Sequence, residues 1–150
     1  MSDFTVSITG KKVTANRLDI KARQFEFISD KELDFGGNED GPNPLEYLLG
    51  GYAACINVVA HMVAKEQNIN VRKLEISITG TLDSSKLFGQ STTARSGFKS
   101  LKVNLNLDSD ADQATQERWI KEVEERCPAG DNLANATPIE ISTNQLASVN

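Results

Sequence analysis

The chain has 150 residues, a formal net charge of −5, 39% hydrophobic and 25% charged side chains. That length buries one core without metal or disulfide staples and the composition is ordinary for a globular protein, so one domain over residues 1–150 is expected. No lysine/arginine cluster exceeds a dipeptide, which argues against nucleic acid as a partner, because such binding rests on phosphate neutralisation.

The opening MSDFTVSITG has neither a basic region nor an apolar core, so no secretory signal is expected and a cytoplasmic location is. There, two cysteines are expected as thiols. Residues 3–9 alternate polar and apolar, and Thr5–Ile8 suits a half-buried strand. Gly10–Lys12 reads as a turn into a weaker strand, Val13–Ile20. Gln24–Ile28 alternates cleanly with Phe25 and Phe27 on one side, which completes an antiparallel meander. The glycine-rich run Asp34–Pro42 is expected to be a mobile loop.

From Pro44 to Ala64 only Glu46, Asn57 and His61 are strongly polar. Asn43 can be the N-cap, with Pro44 at the first helical position and Glu46 at N3, a capping box. A helix apolar nearly all round is expected to be buried on all sides, and this one is roughly 30 Å long. That length spans a bilayer. The embedded glutamate, asparagine and histidine, and the absence of a basic flank or aromatic belt, favour a central helix of a soluble protein and no membrane. Gly50–Gly51 costs about 1 kcal/mol per glycine inside it, so the pair is expected to allow a kink or the close approach of another backbone. Asn68–Asn70 ends it.

Val71–Leu82 reads as a strand with Leu74, Ile76 and Ile78 on one face, and Asp83–Gly97 as irregular. Phe98–Leu107 is the clearest strand, placing Leu101, Val103, Leu105 and Leu107 together. Asp110 is expected to cap a second helix with Gln113 at N3 and an apolar stripe of Ala114, Trp119, Ile120 and Val123. It ends at Cys127–Pro128, because proline bars the residue before it from helical conformation. Pro138–Thr143 is a last short strand. The order predicts α+β with antiparallel sheet. A helix without a polar face is hard to cover in one chain of this size, so an obligate homodimer is expected.

Cys55 lies inside the apolar helix and Cys127 at the end of another, 72 residues later. The spacing fits neither a CxxC redox motif nor a zinc site, and with a single histidine no metal is expected. Spacing alone leaves two buried structural cysteines as an open alternative. His61 is about 240° around the helix from Cys55, which disfavours a cysteine–histidine hydrolase and makes His61 a core histidine bonded to a neighbour.

GPNPLEYLLGGYAAC, followed much later by ERCPAGDNLANATPIEI, resembles the OsmC/Ohr family of osmotically induced and organic-hydroperoxide-resistance proteins, over residues 24–143. The resemblance implies antiparallel sheets wrapped around long central buried helices in an intertwined homodimer. It also implies reduction of organic hydroperoxides by two cysteines and an external dithiol reductant, with no cofactor. By motif, Cys55 is then the peroxidatic and Cys127 the resolving residue.

Two positions depart from the peroxidase pattern. Those members place a glutamate directly after N-P, where this chain has Leu45 and only then Glu46. The shift turns the carboxylate by about 100° and leaves it roughly 13 Å along the axis from Cys55. The shifted glutamate is usual in a broad OsmC-like branch whose substrates are poorly defined. Where those members carry an arginine after a T-G turn, this chain has Lys11–Lys12. Arg17 and Arg23 are the nearby cations, and Arg23, heading the strand before the glycine loop, is the choice over Lys12 and Arg17. The expected function is a cysteine-based thiol peroxidase using Cys55, Cys127, Glu46 and Arg23. The alternative is a non-catalytic protein of the same fold that binds a small apolar or electrophilic ligand at the dimer interface.

Overall fold

The computed structural model describes residues 3–146. Strands β1 (Thr9–Lys12), β2 (Leu18–Ala22) and β3 (Phe25–Ser29) form an antiparallel sheet in that order. The first strand therefore begins at Thr9, later than the alternation of residues 3–8 suggested. Those residues have no strand assignment, whereas Thr9–Lys12 pair with Leu18–Lys21. The turn falls at residues 13–17, where the Thr14 hydroxyl accepts the amides of Asn16 and Arg17 at 3.1 and 2.9 Å.

The loop after β3 is tied down rather than mobile. Asp30, only 2% exposed, accepts backbone N–H groups from Lys31, Asn38 and Asp40 at 2.9, 3.0 and 3.3 Å. Arg17 bridges Asp19 and Asp40, both at 2.8 Å. A Cβ at Gly37 would stand 1.9 Å from the Lys31 carbonyl oxygen, so only glycine fits that crossing.

Helix α1 (Pro44–Glu66) starts with the expected capping box: Asn43 Oδ1 accepts from Leu45 and Glu46, and the Asn43 amide donates to Glu46 Oε2 at 2.8 Å. It runs unbroken through Gly50 and Gly51, and nothing lies within 4 Å of a Cβ at either. Within the chain it is not buried on all sides. Ile56, Val59, Ala60, Val63 and Ala64 face the core, while Leu48, Val58 and Met62 stay bare.

Strands β4 (Val71–Leu82) and β5 (Phe98–Ser109) form a long antiparallel pair. The register sets Leu74 opposite Leu107, Ile76 opposite Leu105 and Ile78 opposite Val103, so period-2 alternation turns one apolar face onto α1. Helix α2 (Gln113–Arg126) is capped by Asp112, not Asp110. Asp112 Oδ1 accepts the Thr115 amide at 2.8 Å, while Asp110 accepts from Asn70. Trp119 and Val123 bury against α1, and the indole N–H donates to the Ala60 carbonyl at 2.9 Å. After Cys127 the chain enters α3 (Pro128–Ala134), a helix missed in the sequence because Pro128 was read as a stop when it occupies N1 of a new start. Residues 138–143 form no strand, and Ile139 and Ile141 are more than 80% exposed (82% and 87%).

The chain is thus α+β with antiparallel sheets, but its two halves are unequally anchored. The β4–β5 pair, α1, α2 and α3 share one core. The three-stranded sheet meets the first turns of α1, where the Tyr47 hydroxyl donates to the Ile28 carbonyl at 2.6 Å and the Tyr47 and Phe27 ring centroids are 5.2 Å apart. It has no extensive packing against β4, β5, α2 or α3.

Candidate active site

Cys55 projects from the fourth turn of α1, and Cys127 occupies the junction of α2 and α3. Packing of α2 on α1 through Trp119 brings the two thiols together, close enough for Cys55 to act on the ionisation of Cys127. Cys127 is 2% exposed, whereas Cys55 is half-buried. Cys127 is also the N-cap of α3, its sulfur accepting the Gly130 amide at 3.5 Å. Burial pushes the Cys127 thiol up; the Gly130 amide pulls the other way, and Cys55 adds to the rise. No cation contributes at Cys127 among the described residues.

The charged candidates sit elsewhere in the single chain. Glu46 spends its carboxylate on the capping box. Arg23 occupies the β2–β3 turn at φ 55°, its guanidinium 5.1 Å over the Phe25 ring. Arg17 is engaged by Asp19 and Asp40, and Lys12 lies on β1. Arg126, although adjacent to Cys127 in sequence, pairs with Glu66 at 2.5 Å and Glu122 at 3.0 Å. His61 is not a core residue: it is exposed, and its Nδ1 is bonded to the Asn57 carbonyl, 2.8 Å away. Among the described residues no His/Cys/Asp/Glu group is arranged to hold a metal.

Sequence reasoning missed Tyr52. It precedes Cys55 by three residues, so the two share a helix face. Its ring packs on Gly130, where a Cβ would be 3.2 Å from Tyr52 Cε2 and 3.6 Å from Cys127 Cβ. Burial raises the phenol's pKa, with Cys127, Glu124 and Cys55 adding to the rise. Helical spacing was the available signal, overlooked because a tyrosine in an apolar helix reads as core. A cavity of about 690 Å³ opens beside this group, walled by Tyr52, Gly130, Leu101, Arg95, Lys99 and Glu124 among others. A further cavity, about 620 Å³, lies along β1–β3 and Tyr47; neither cavity is lined by a cysteine.

The pattern of these residues matches known proteins. A family model described as OsmC-like protein matches residues 36–142. The hydroperoxide reductase of Mycoplasma pneumoniae is 32% identical over 108 residues, which cover 69% of this chain and 70% of that protein. An OsmC like protein from Mycoplasma pneumoniae has a similar structure, with a TM-score of 0.78, 24% identity and 89% of each chain covered. The organic hydroperoxide resistance protein OhrB of Bacillus subtilis superposes with a TM-score of 0.56 at 26% identity, over 86% of this chain and 90% of that one.

Proposed function

The chain belongs to the OsmC-like protein family, and on that premise we propose that it is a cysteine-based peroxidase acting on organic hydroperoxides. The observation that carries this reading is the meeting of Cys55 and Cys127, from separate helices, next to Tyr52 and Gly130, which line a cavity of mixed polar and apolar walls. The Cys55 thiolate attacks the terminal peroxide oxygen; the S–O bond forms, the O–O bond breaks, and an alcohol leaves after taking a proton. The resulting sulfenic acid condenses with the Cys127 thiol, releasing water and forming a disulfide. An external dithiol returns two electrons and restores both thiols. The more accessible Cys55 suits the nucleophile and the buried Cys127 the resolving thiol.

The working unit in this reading is a cytoplasmic homodimer. The bare face of α1 and the weakly anchored three-stranded sheet support it: a second copy would cover both. That sheet carries Arg23, which serves as the cation for a Cys55 thiolate across the interface, while Glu46 acts as a cap at the helix start or reaches the site from the second copy. A second reading, binding of a small apolar or electrophilic ligand without turnover, draws on the absence, among the described residues, of a cation acting on Cys127.

Anaerobic thiol counting before and after one equivalent of cumene hydroperoxide separates the two. The peroxidase reading expects loss of both thiols per chain to a Cys55–Cys127 disulfide. Cys55→Ser abolishes turnover and Cys127→Ser stalls it at the sulfenic acid. Survival of both thiols, with saturable binding of an apolar probe, establishes the binding reading instead; normal turnover by Cys55→Ser refutes the peroxidase.

A further inference from the structure

We infer that Tyr52 is a catalytic residue of this site, the proton donor to the alkoxide oxygen that leaves when Cys55 attacks a hydroperoxide. The inference rests on the peroxidase reading and adds a group to it.

The chemistry creates the need. Breaking the O–O bond of an alkyl hydroperoxide expels an alkoxide, a strong base whose departure is slow unless a proton reaches it in the transition state. Arg95, Lys99 and Glu124 line the same cavity as Tyr52, while the site residues expected from the sequence are committed or misplaced. Glu46 is held in its capping box and Arg126 between two glutamates. His61, six residues on, is about 240° around the helix from the cysteine and on a different face.

Tyr52 meets the requirement on four counts. It lies one helical turn before Cys55, on the same face, so a peroxide whose terminal oxygen meets the sulfur carries its second oxygen toward the phenol. Its ring is fixed against Gly130, which is also the residue whose amide holds Cys127. Its hydroxyl has no hydrogen-bond partner among the described residues, in contrast to Tyr47, whose hydroxyl is committed to Ile28. It also lines, with Gly130, the cavity that opens next to the thiol pair. Burial and the neighbouring acidic groups keep the phenol protonated, which a donor must be. In the step, the S–O bond forms as the O–O bond breaks, the phenol proton passes to the alkoxide to give the alcohol, and the tyrosinate recovers a proton from water.

Tyr52→Phe keeps the ring contact with Gly130 and removes only the hydroxyl. The test is the rate of Cys55 oxidation by tert-butyl hydroperoxide and by peracetic acid, in the natural protein and in Tyr52→Phe. General acid catalysis predicts about a hundredfold slowing with tert-butyl hydroperoxide, whose leaving group needs a proton, and under about threefold with peracetic acid, whose acetate does not. Equal slowing of both would mean that Tyr52 merely shapes the site, and no slowing that it plays no part; either overturns the inference. If the natural protein fails to oxidise with either oxidant, the peroxidase reading falls and this one with it. Normal oxidation of the natural protein beside an unaffected Tyr52→Phe removes the inference alone.

Discussion

Replacing Val58 with aspartate tests whether the bare face of α1 belongs against a second copy. Leu48, Val58 and Met62 are 46%, 58% and 50% exposed. Full burial of such a side chain is worth about 1.5–3 kcal/mol, so covering the exposed half recovers about 1 kcal/mol each. A two-fold interface uses the same patch twice, so in the proposed homodimer these three residues would contribute roughly 6 kcal/mol to the pair. Val58→Asp forfeits about 2 kcal/mol of that across both copies and adds the cost of desolvating two carboxylates. The expected loss is at least 3 kcal/mol, on the order of a hundredfold or more in dissociation constant. Sedimentation velocity over a dilution series reads this directly. Val58→Asp should shift the dimer–monomer midpoint upward by that factor, while Ser77→Asp, on the polar face of β4, should leave it unchanged. A Val58→Asp protein that stays dimeric at the same concentrations as the natural chain would refute the assignment of this face.

Trp119 holds α2 on α1, so Trp119→Phe, which loses the bond to Ala60 and part of the ring, should cost about 1–3 kcal/mol, and Trp119→Ala about 3–5 kcal/mol. Urea unfolding at fixed protein concentration checks both, and a cost below 1 kcal/mol for the alanine variant contradicts the packing described. Burial alone would raise the Asp30 carboxyl, but the Asn38, Asp40 and Lys31 amides outweigh it, Arg17 helps, and the group sits below its ordinary value of 3.8. A lowered carboxyl stabilises the fold above pH about 3.8 and loses that contribution as the pH falls through its folded value. Asp30→Asn should therefore flatten the acid limb of the stability profile and speed amide exchange at Asn38 and Asp40 at neutral pH; an unchanged limb would show that the loop does not depend on the charge.

Elements whose signals are local were legible in the sequence. The Asn43–Glu46 box and Pro44 fixed the start of α1 to the residue, and alternation located β4 and β5 because one face of each is covered by α1. Where two caps competed, as at Asp110 and Asp112, the choice depended on Asp110 bonding Asn70, a contact forty residues away in sequence. The termini misled for a related reason: Phe4, Val6 and Ile8, and then Ile139 and Ile141, alternate as strands do, yet find no pairing edge among the described residues of their own chain. Both cysteines could be named from motif, and the structure adds their meeting. Tyr52 escaped notice because its relevance lies in a contact with Gly130 from the far end of the chain.

Trp119 is the chain's sole tryptophan. Its indole is sealed where α2 crosses α1, in the cluster that also contains Cys127 and touches Cys55. Its fluorescence is therefore a built-in optical gauge of that crossing. Loosening of the helices exposes the indole to water and reddens its emission, and rearrangement of the sulfur atoms alters their quenching of it. Stopped-flow emission can follow a change at that crossing, the proposed thiol oxidation included, in unlabelled protein.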